Sequence, residues 1–346
     1  MKARILFAVS SIFVAIASGQ AMHAQSSQKP QIGFSLEAVK GERWQTDLDS
    51  FEARARQLGV EVISADAGGD DDLQFRQVKE MIKAGVKVLV LLPRDTTNAS
   101  RMVDAAEAAH VKVISYDRLI LNSDVDLYIS FDPVEIGRMQ ADYLVNLAPN
   151  GNYVVIAGSP NDANAKLLHD EQIKVLQPYI DRGDIKLLAD SYTREWLPEE
   201  AYLHMLNAID SSKGNITAVL ASNDGLAGGV IQALKDNKLE GKVLVSGQDA
   251  DLAAIIRIIE GTQSMTVYKS ITNQAALAAD EAARLAKGES INEDRTIYNG
   301  RKNVPAIMLK CVTLTKDNIK TTVIQDGFQK LEVINAALPE NKRLPN

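Results

Sequence analysis

A single cysteine, Cys311, in 346 residues excludes any intramolecular disulfide and any cysteine-cluster metal site. The fold must therefore rest on a hydrophobic core, and the chain is long enough to build one. Histidine is also scarce, at four residues, and none stands at metal-ligand spacing. His110, His169 and His204 fall in helical stretches and read as surface residues. No HExxH or GxSxG motif occurs. Ala157-Gly158-Ser159-Pro160 lacks both the glycines of a dinucleotide loop and the Gly-Lys of a phosphate loop. No cofactor and no metal are expected. Positive charge is in deficit: 38 Lys and Arg against 45 Asp and Glu give a net charge of −7. That balance argues against nucleic acid as a partner. Beyond the first two dozen residues, no apolar run approaches the ~20 needed to span a membrane.

The first two dozen residues have their own logic. Lys2 and Arg4 precede an apolar run from Ile5 to Ile16, and small residues follow at Gly19, Ala21 and Ala24. This is the layout of a secretory signal peptide over residues 1–24, cleaved after Ala21 or Ala24. No cysteine is near the cleavage site to carry a lipid. The expected product is a monomer free in a periplasm-like space. It retains about 320 residues, more than one core usually holds, so two domains are expected.

Val- and Ile-rich runs alternate with segments of helical period. Strands are expected at 31–36, 60–65, 86–92, 111–116, 127–131, 153–157, 185–189, 218–222, 243–247 and 265–268. Helices are expected between them, for example over 43–58, 73–84, 99–110, 133–147 and 165–180. Asp70-Asp71-Asp72 reads as a helix start. Strands that are apolar nearly throughout, each followed by a helix, predict parallel sheets covered on both faces. There is also an internal echo. Val88–Leu92, a helix and Val111–Tyr116 end in Asp117-Arg118; Ala218–Ser222, a helix and Val243–Gly247 end in Gln248-Asp249. The chain thus reads as two similar lobes in series. Ligands of open parallel sheets sit beyond the carboxyl ends of the strands, so two facing lobes would share one cleft.

The strand tips carry Glu42-Arg43-Trp44, Asp117-Arg118, Asn161 to Asn164, Asn223-Asp224, Gln248-Asp249 and Lys269, with Trp196 in a loop. Carboxylates accept hydrogen bonds, Arg and Lys donate them, and amides do both, which matches a ring of hydroxyl groups. The only two tryptophans, Trp44 and Trp196, could cover the C–H faces of such a ring. Asp and Asn at strand ends also serve as turn formers and caps, and Asp224 is the plainest cap among them. A glycosidase acid and base built from Asp117 and Asp249 is disfavoured, because Arg118 would hold Asp117 ionised. A neutral polyol bound without chemistry is the expectation.

At these residues the chain resembles a known family. Glu42-Arg43-Trp44-Gln45, Tyr116-Asp117-Arg118, Asn164-Ala165-Lys166-Leu167, Ala221-Ser222-Asn223-Asp224, Gln248-Asp249-Ala250-Asp251 and Tyr268-Lys269 resemble the periplasmic D-xylose-binding proteins. These belong to the ribose/galactose class of substrate-binding proteins serving ABC importers. The resemblance runs in order from about Gln31 to Phe328. It implies the type I periplasmic binding protein fold, with two Rossmann-like α/β lobes and three crossing segments closing by a hinge. The first lobe would span 29–134 plus 270–299, and the second 135–269 plus 300–346. It further implies that Arg43, Asp117, Arg118, Asn164, Asn223, Asp249 and Lys269 hydrogen-bond the sugar. Trp44 and Trp196 would sandwich it, and Glu42 would touch it or orient Arg43. The implied partners are a monosaccharide, D-xylose first and glucose, arabinose or ribose as alternatives, and an ABC permease. A chemoreceptor or sensor kinase is a further partner of this kind. The segment from Leu36 to Gly41 and the tail after Lys330 depart from the family pattern.

Overall fold

Apolar runs become strands and helical-period segments become helices in the computed structural model, which describes residues 30–39 and 41–345. The side chain of Glu42 and the stretch read as a signal peptide lie outside that description.

The first lobe begins with β1 (Gln31–Leu36), α1 (Gly41–Leu58), β2 (Glu61–Asp66), α2 (Asp71–Ala84) and β3 (Val88–Leu92). It continues with α3 (Ser100–Ala108), β4 (Lys112–Tyr116) and β5 (Leu127–Phe131). The β3 sequence VLVLL shows why the sheet is doubly covered. Val88, Val90 and Leu92 face a core shared with Phe51 and Ala55 of α1, while Leu89 and Leu91 face Val78, Met81 and Met102 of α2 and α3. Asp70 caps α2, accepting from the backbone of Asp72 and Leu73, and Gly85 ends it with φ 91°.

The second lobe repeats the plan: α4 (Pro133–Leu147), β6 (Gly151–Ala157), α5 (Ala163–Asp181), β7 (Ile185–Tyr192) and α6 (Pro198–Ser212). Next come β8 (Ala218–Ala221), α7 (Asp224–Asp236), β9 (Leu244–Val245), α8 (Leu252–Glu260) and β10 (Thr266–Lys269). The chain then returns to the first lobe with α9 (Ile271–Ala286), β11 (Arg295–Tyr298) and β12 (Asn303–Leu309). It ends in the second lobe with β13 (Cys311–Leu314) and α10 (Leu331–Ala337).

Strand order in the first sheet is β11-β12-β5-β4-β3-β1-β2, parallel except for the β11–β12 pair. The second runs β7-β6-β8-β9, and a parallel bridge from Gln248 to Val267 carries it on to β10. Both lobes therefore share one winding order, as the internal echo predicts: β3 and β4 correspond to β8 and β9.

The expected lobe boundary at 299/300 is corrected. β12 pairs in parallel with β5 and buries Val304, Ala306 and Met308 in the first lobe's core. The chain thus leaves the first lobe only at Lys310. The three crossings lie side by side, because Phe131 pairs with Leu309 and Lys269 with Cys311. The tail packs Ile334 and Leu338 against Ile255 and Ile258 of α8. No helix among the described residues is long and apolar enough to cross a membrane.

Candidate functional site

The carboxyl ends of the two sheets face each other across a cavity of about 420 Å³. Arg43, in the first turn of α1, reaches across it. Its Nη1 donates to Asp249 Oδ1 at 3.0 Å and its Nη2 to Asp117. Those two aspartates follow β4 and β9, equivalent places in the two lobes. Both have positive φ, 61° and 105°, a region Asp enters more readily than most residues. Lys269, at the end of β10, donates from Nζ to the same Asp249 oxygen at 2.8 Å. The backbone carbonyl of Asp117 is fixed by Tyr128 Oη at 3.0 Å, Ser130 Oγ at 2.6 Å and Asn164 Nδ2 at 2.8 Å. Asn164 belongs to α5, so that last bond also crosses between the lobes.

These charges are buried, and they hold one another ionised. Burial alone would raise Asp117, but Arg43, then Lys269 and Arg118, keep it below the usual carboxylate range. Burial likewise opposes the charge on Asp249, and Lys269 and Arg43 overcome it. Arg43 loses solvation too, yet Asp117, Asp249 and Asp47 hold its guanidinium above its ordinary value. Neither aspartate has the raised pKa that a general acid requires at neutral pH. Arg43, not Arg118, is thus the main partner that keeps Asp117 charged. Arg118 points elsewhere: to Glu37 and to Asp162 of the other lobe, each at 2.9 Å, and to the Pro93 carbonyl at 3.0 Å.

Trp44 borders the cavity from the first lobe, with the Arg43 guanidinium carbon 4.2 Å from its ring centroid. Trp196 borders it from the second, in the short turn Arg194–Trp196. Glu195 and Trp196 both adopt left-handed backbone there, with φ 51° and 59°. The indole N–H donates to Asp162 Oδ2 at 3.3 Å, and the ring lies on Gly158, where a Cβ would sit 2.3 Å from it. Asn223 caps α7 by accepting from the Leu226 N–H at 2.9 Å. The cap is therefore Asn223 and not Asp224. Asp224 is buried one residue further in and accepts from Gln263 at 2.8 Å and Thr266 at 2.9 Å.

Arg43, Trp44, Asp117, Arg118, Asn164, Trp196, Asn223, Asp249 and Lys269 all line this one cavity. The periplasmic binding protein domain family matches residues 32–290. The chain belongs to that family. The D-xylose-binding periplasmic protein of Escherichia coli is 46% identical over 307 residues, 89% of this chain and 93% of the relative. The protein of the same name from Haemophilus influenzae is 46% identical over 308 residues, again 89% and 93%. A solved carbohydrate transporter solute binding protein from Chloroflexus aurantiacus, in complex with D-glucose, superposes with a TM-score of 0.82 at 31% identity. It covers 88% of this chain and 98% of its own.

As a periplasmic binding protein of the type I fold, the chain is a binding component and not an enzyme. No group of His, Cys, Asp and Glu among the described residues could hold a metal ion. His169 pairs with Asp190 at 2.8 Å, away from the cavity lining. Sequence reasoning passed over Glu37 of this cleft and named Asp162 only within the strand-tip run Asn161 to Asn164. Glu37 follows β1, and the strand-tip rule could have found it. Asp162 is the cap of α5, accepting from the Asn164 N–H at 2.9 Å. Its other oxygen takes Arg118 and Trp196, which no spacing in the sequence announces. Arg94 and Glu195, far apart in the chain, pair across the mouth between the lobes.

Proposed function

We propose that the protein captures D-xylose in this cleft and delivers it from the periplasm to the membrane permease of an ABC importer. The observation that carries the reading is the convergence of Asp117 and Asp249, one from each lobe, on Arg43 in a cavity that both tryptophans line. Each sugar hydroxyl both donates and accepts. Asp117 and Asp249 accept from it, Arg43, Arg118 and Lys269 donate to it, and Asn164 and Asn223 do either. These charged groups are all ion-paired within the cleft, so an uncharged ligand meets a strongly polar surface. Trp44 and Trp196 cover the C–H faces of the ring.

Four of these nine groups belong to the first lobe and five to the second. A sugar therefore gains its full set of bonds only when the lobes are closed, and it biases the hinge through that difference. Micromolar affinity corresponds to ~−8 kcal/mol. Several charge-assisted hydrogen bonds of roughly 1.5–3 kcal/mol each supply that after ordering costs. The two relatives named for D-xylose support a pentose. The glucose-bound neighbour makes D-glucose the second reading, since glucose differs from xylose only by an exocyclic hydroxymethyl group. Calorimetric titration with D-xylose, D-glucose, L-arabinose and D-ribose tests the proposal. Xylose should bind most tightly. Tighter glucose binding would transfer the reading to glucose, and no heat with any aldose would end it.

A further inference from the structure

Behind Arg43, one helical turn along α1, lies Asp47, a carboxylate with no solvent exposure. Tyr116 donates its hydroxyl to Asp47 Oδ1. The other oxygen, Oδ2, has no hydrogen-bond partner, and neither does Arg43 Nε, which faces it at 3.8 Å. Both atoms are buried, so each forgoes water without gaining a bond, which is costly. The cause is the grip on the far end of the guanidinium. Asp117 and Asp249 take its two terminal nitrogens and draw it toward the cleft.

We propose that Asp47 is a positioning residue for Arg43 and that it takes up a proton when the lobes close on a sugar. The inference rests on the sugar-binding reading and goes beyond it. Asp249 belongs to the second lobe, so opening the cleft removes it from Arg43. The carboxylate then left with an unfilled oxygen near the guanidinium is Asp47, at i+4 on the same helix. Arg43 shifts onto it in the open form and holds it ionised. Closing pulls Arg43 away and leaves a buried carboxylate with one neutral donor, which protonation relieves.

The charged and titratable groups around Asp47 agree. Burial pushes its carboxyl up to about 7 in the closed arrangement, against the pull of Arg43 and the Tyr116 hydroxyl; Asp117 adds to the rise and Lys269 opposes it. From α9, which packs on α1, Gln274 reaches Asp117 Oδ2 at 3.3 Å. Asp117 and Asp249 are held below the usual carboxylate range, so they do not titrate near neutrality.

The sign follows from linkage. If closure raises the pKa of Asp47, binding absorbs protons below about pH 7, and affinity rises as pH falls. D-xylose should bind about tenfold more tightly at pH 6 than at pH 8. Calorimetry in two buffers of different ionisation enthalpy should show close to one proton absorbed per sugar at pH 6, falling toward none at pH 8. Asp47→Asn should bind xylose with no proton uptake at Asp47 and a flat pH profile. His169, paired with Asp190 outside the cavity, is unchanged in that variant and serves as the internal control. Equal proton uptake in wild type and Asp47→Asn, or none in either, overturns the proposal.

A second measurement stands apart from sugar binding. In the closed form a carboxyl raised to about 7 contributes stability that is lost as pH rises toward that value, whereas in the open form Asp47, held ionised by Arg43, contributes no such loss. Without ligand, the difference in melting temperature between Asp47→Asn and wild type should therefore stay constant between pH 5 and pH 8. A gain of Asp47→Asn on wild type across that range would sink the Asp47 argument even if xylose binds. Absence of sugar binding with the constant difference intact would instead sink the sugar reading.

Discussion

Asp249 accepts from Arg43 of one lobe and from Lys269 at a crossing, so its removal leaves two buried cations without their shared acceptor. Unpaired buried charge is costly. Asp249→Ala is expected to abolish calorimetrically detectable xylose binding while leaving the far-ultraviolet circular dichroism unchanged. Asp162 permits a finer test, because asparagine caps helices as well as aspartate does. Asp162→Asn keeps the bond to the Asn164 N–H but turns an uncharged amide toward Arg118. Sugar affinity should fall by about tenfold or more, mainly through faster dissociation, as for other broken buried charge pairs. An unchanged dissociation rate in stopped-flow tryptophan fluorescence would count against a role for this pair in closure. Asp117 and Asp249 were legible in the sequence because each follows a strand in a repeated pattern. The ion pair of Asp162 was not, because a cap and a cross-lobe ion pair place the same demand on residue type.

Among the elements, the turn Arg194–Trp196 depends most on its neighbours. Two consecutive non-glycine residues with positive φ cost about 1–3 kcal/mol each. The Trp196 ring resting on Gly158 and the indole bond to Asp162 hold that geometry. A methyl group at 158 would occupy the space of the ring. Gly158→Ala should therefore displace Trp196, weaken xylose binding by about tenfold or more and suppress the sugar-induced change in tryptophan fluorescence. A variant with wild-type affinity and the same fluorescence change would show that the ring position is immaterial. Periodicity revealed most strands and the helices around them. It missed β11 and β12 for physical reasons. β11 is an exposed edge strand of sequence RTIY, and β12 carries Pro305, which cannot donate to a ladder and disguises the alternation of Val304, Ala306 and Met308.

For the whole molecule, interleaving matters more than the division into lobes. The sheet of the first lobe takes β12 from residues 303–309, and its core takes Ala275, Ala278, Ala279 and Ala282 from α9. A fragment comprising residues 30–134 keeps β1 to β5 yet exposes the faces those segments cover. It should give poorly dispersed amide resonances, whereas the full chain should be well dispersed; a folded fragment would contradict this account of the core. The two-lobed plan was visible in the echo between the strand pairs. The last crossing was not, because only the pairing of β12 with β5 decides to which lobe that strand belongs. A ribosome must therefore make about nine-tenths of the chain before the first sheet can acquire its last parallel strand. Early residues wait for late ones, and the first lobe of a polypeptide of this design cannot complete its sheet until its synthesis is almost finished.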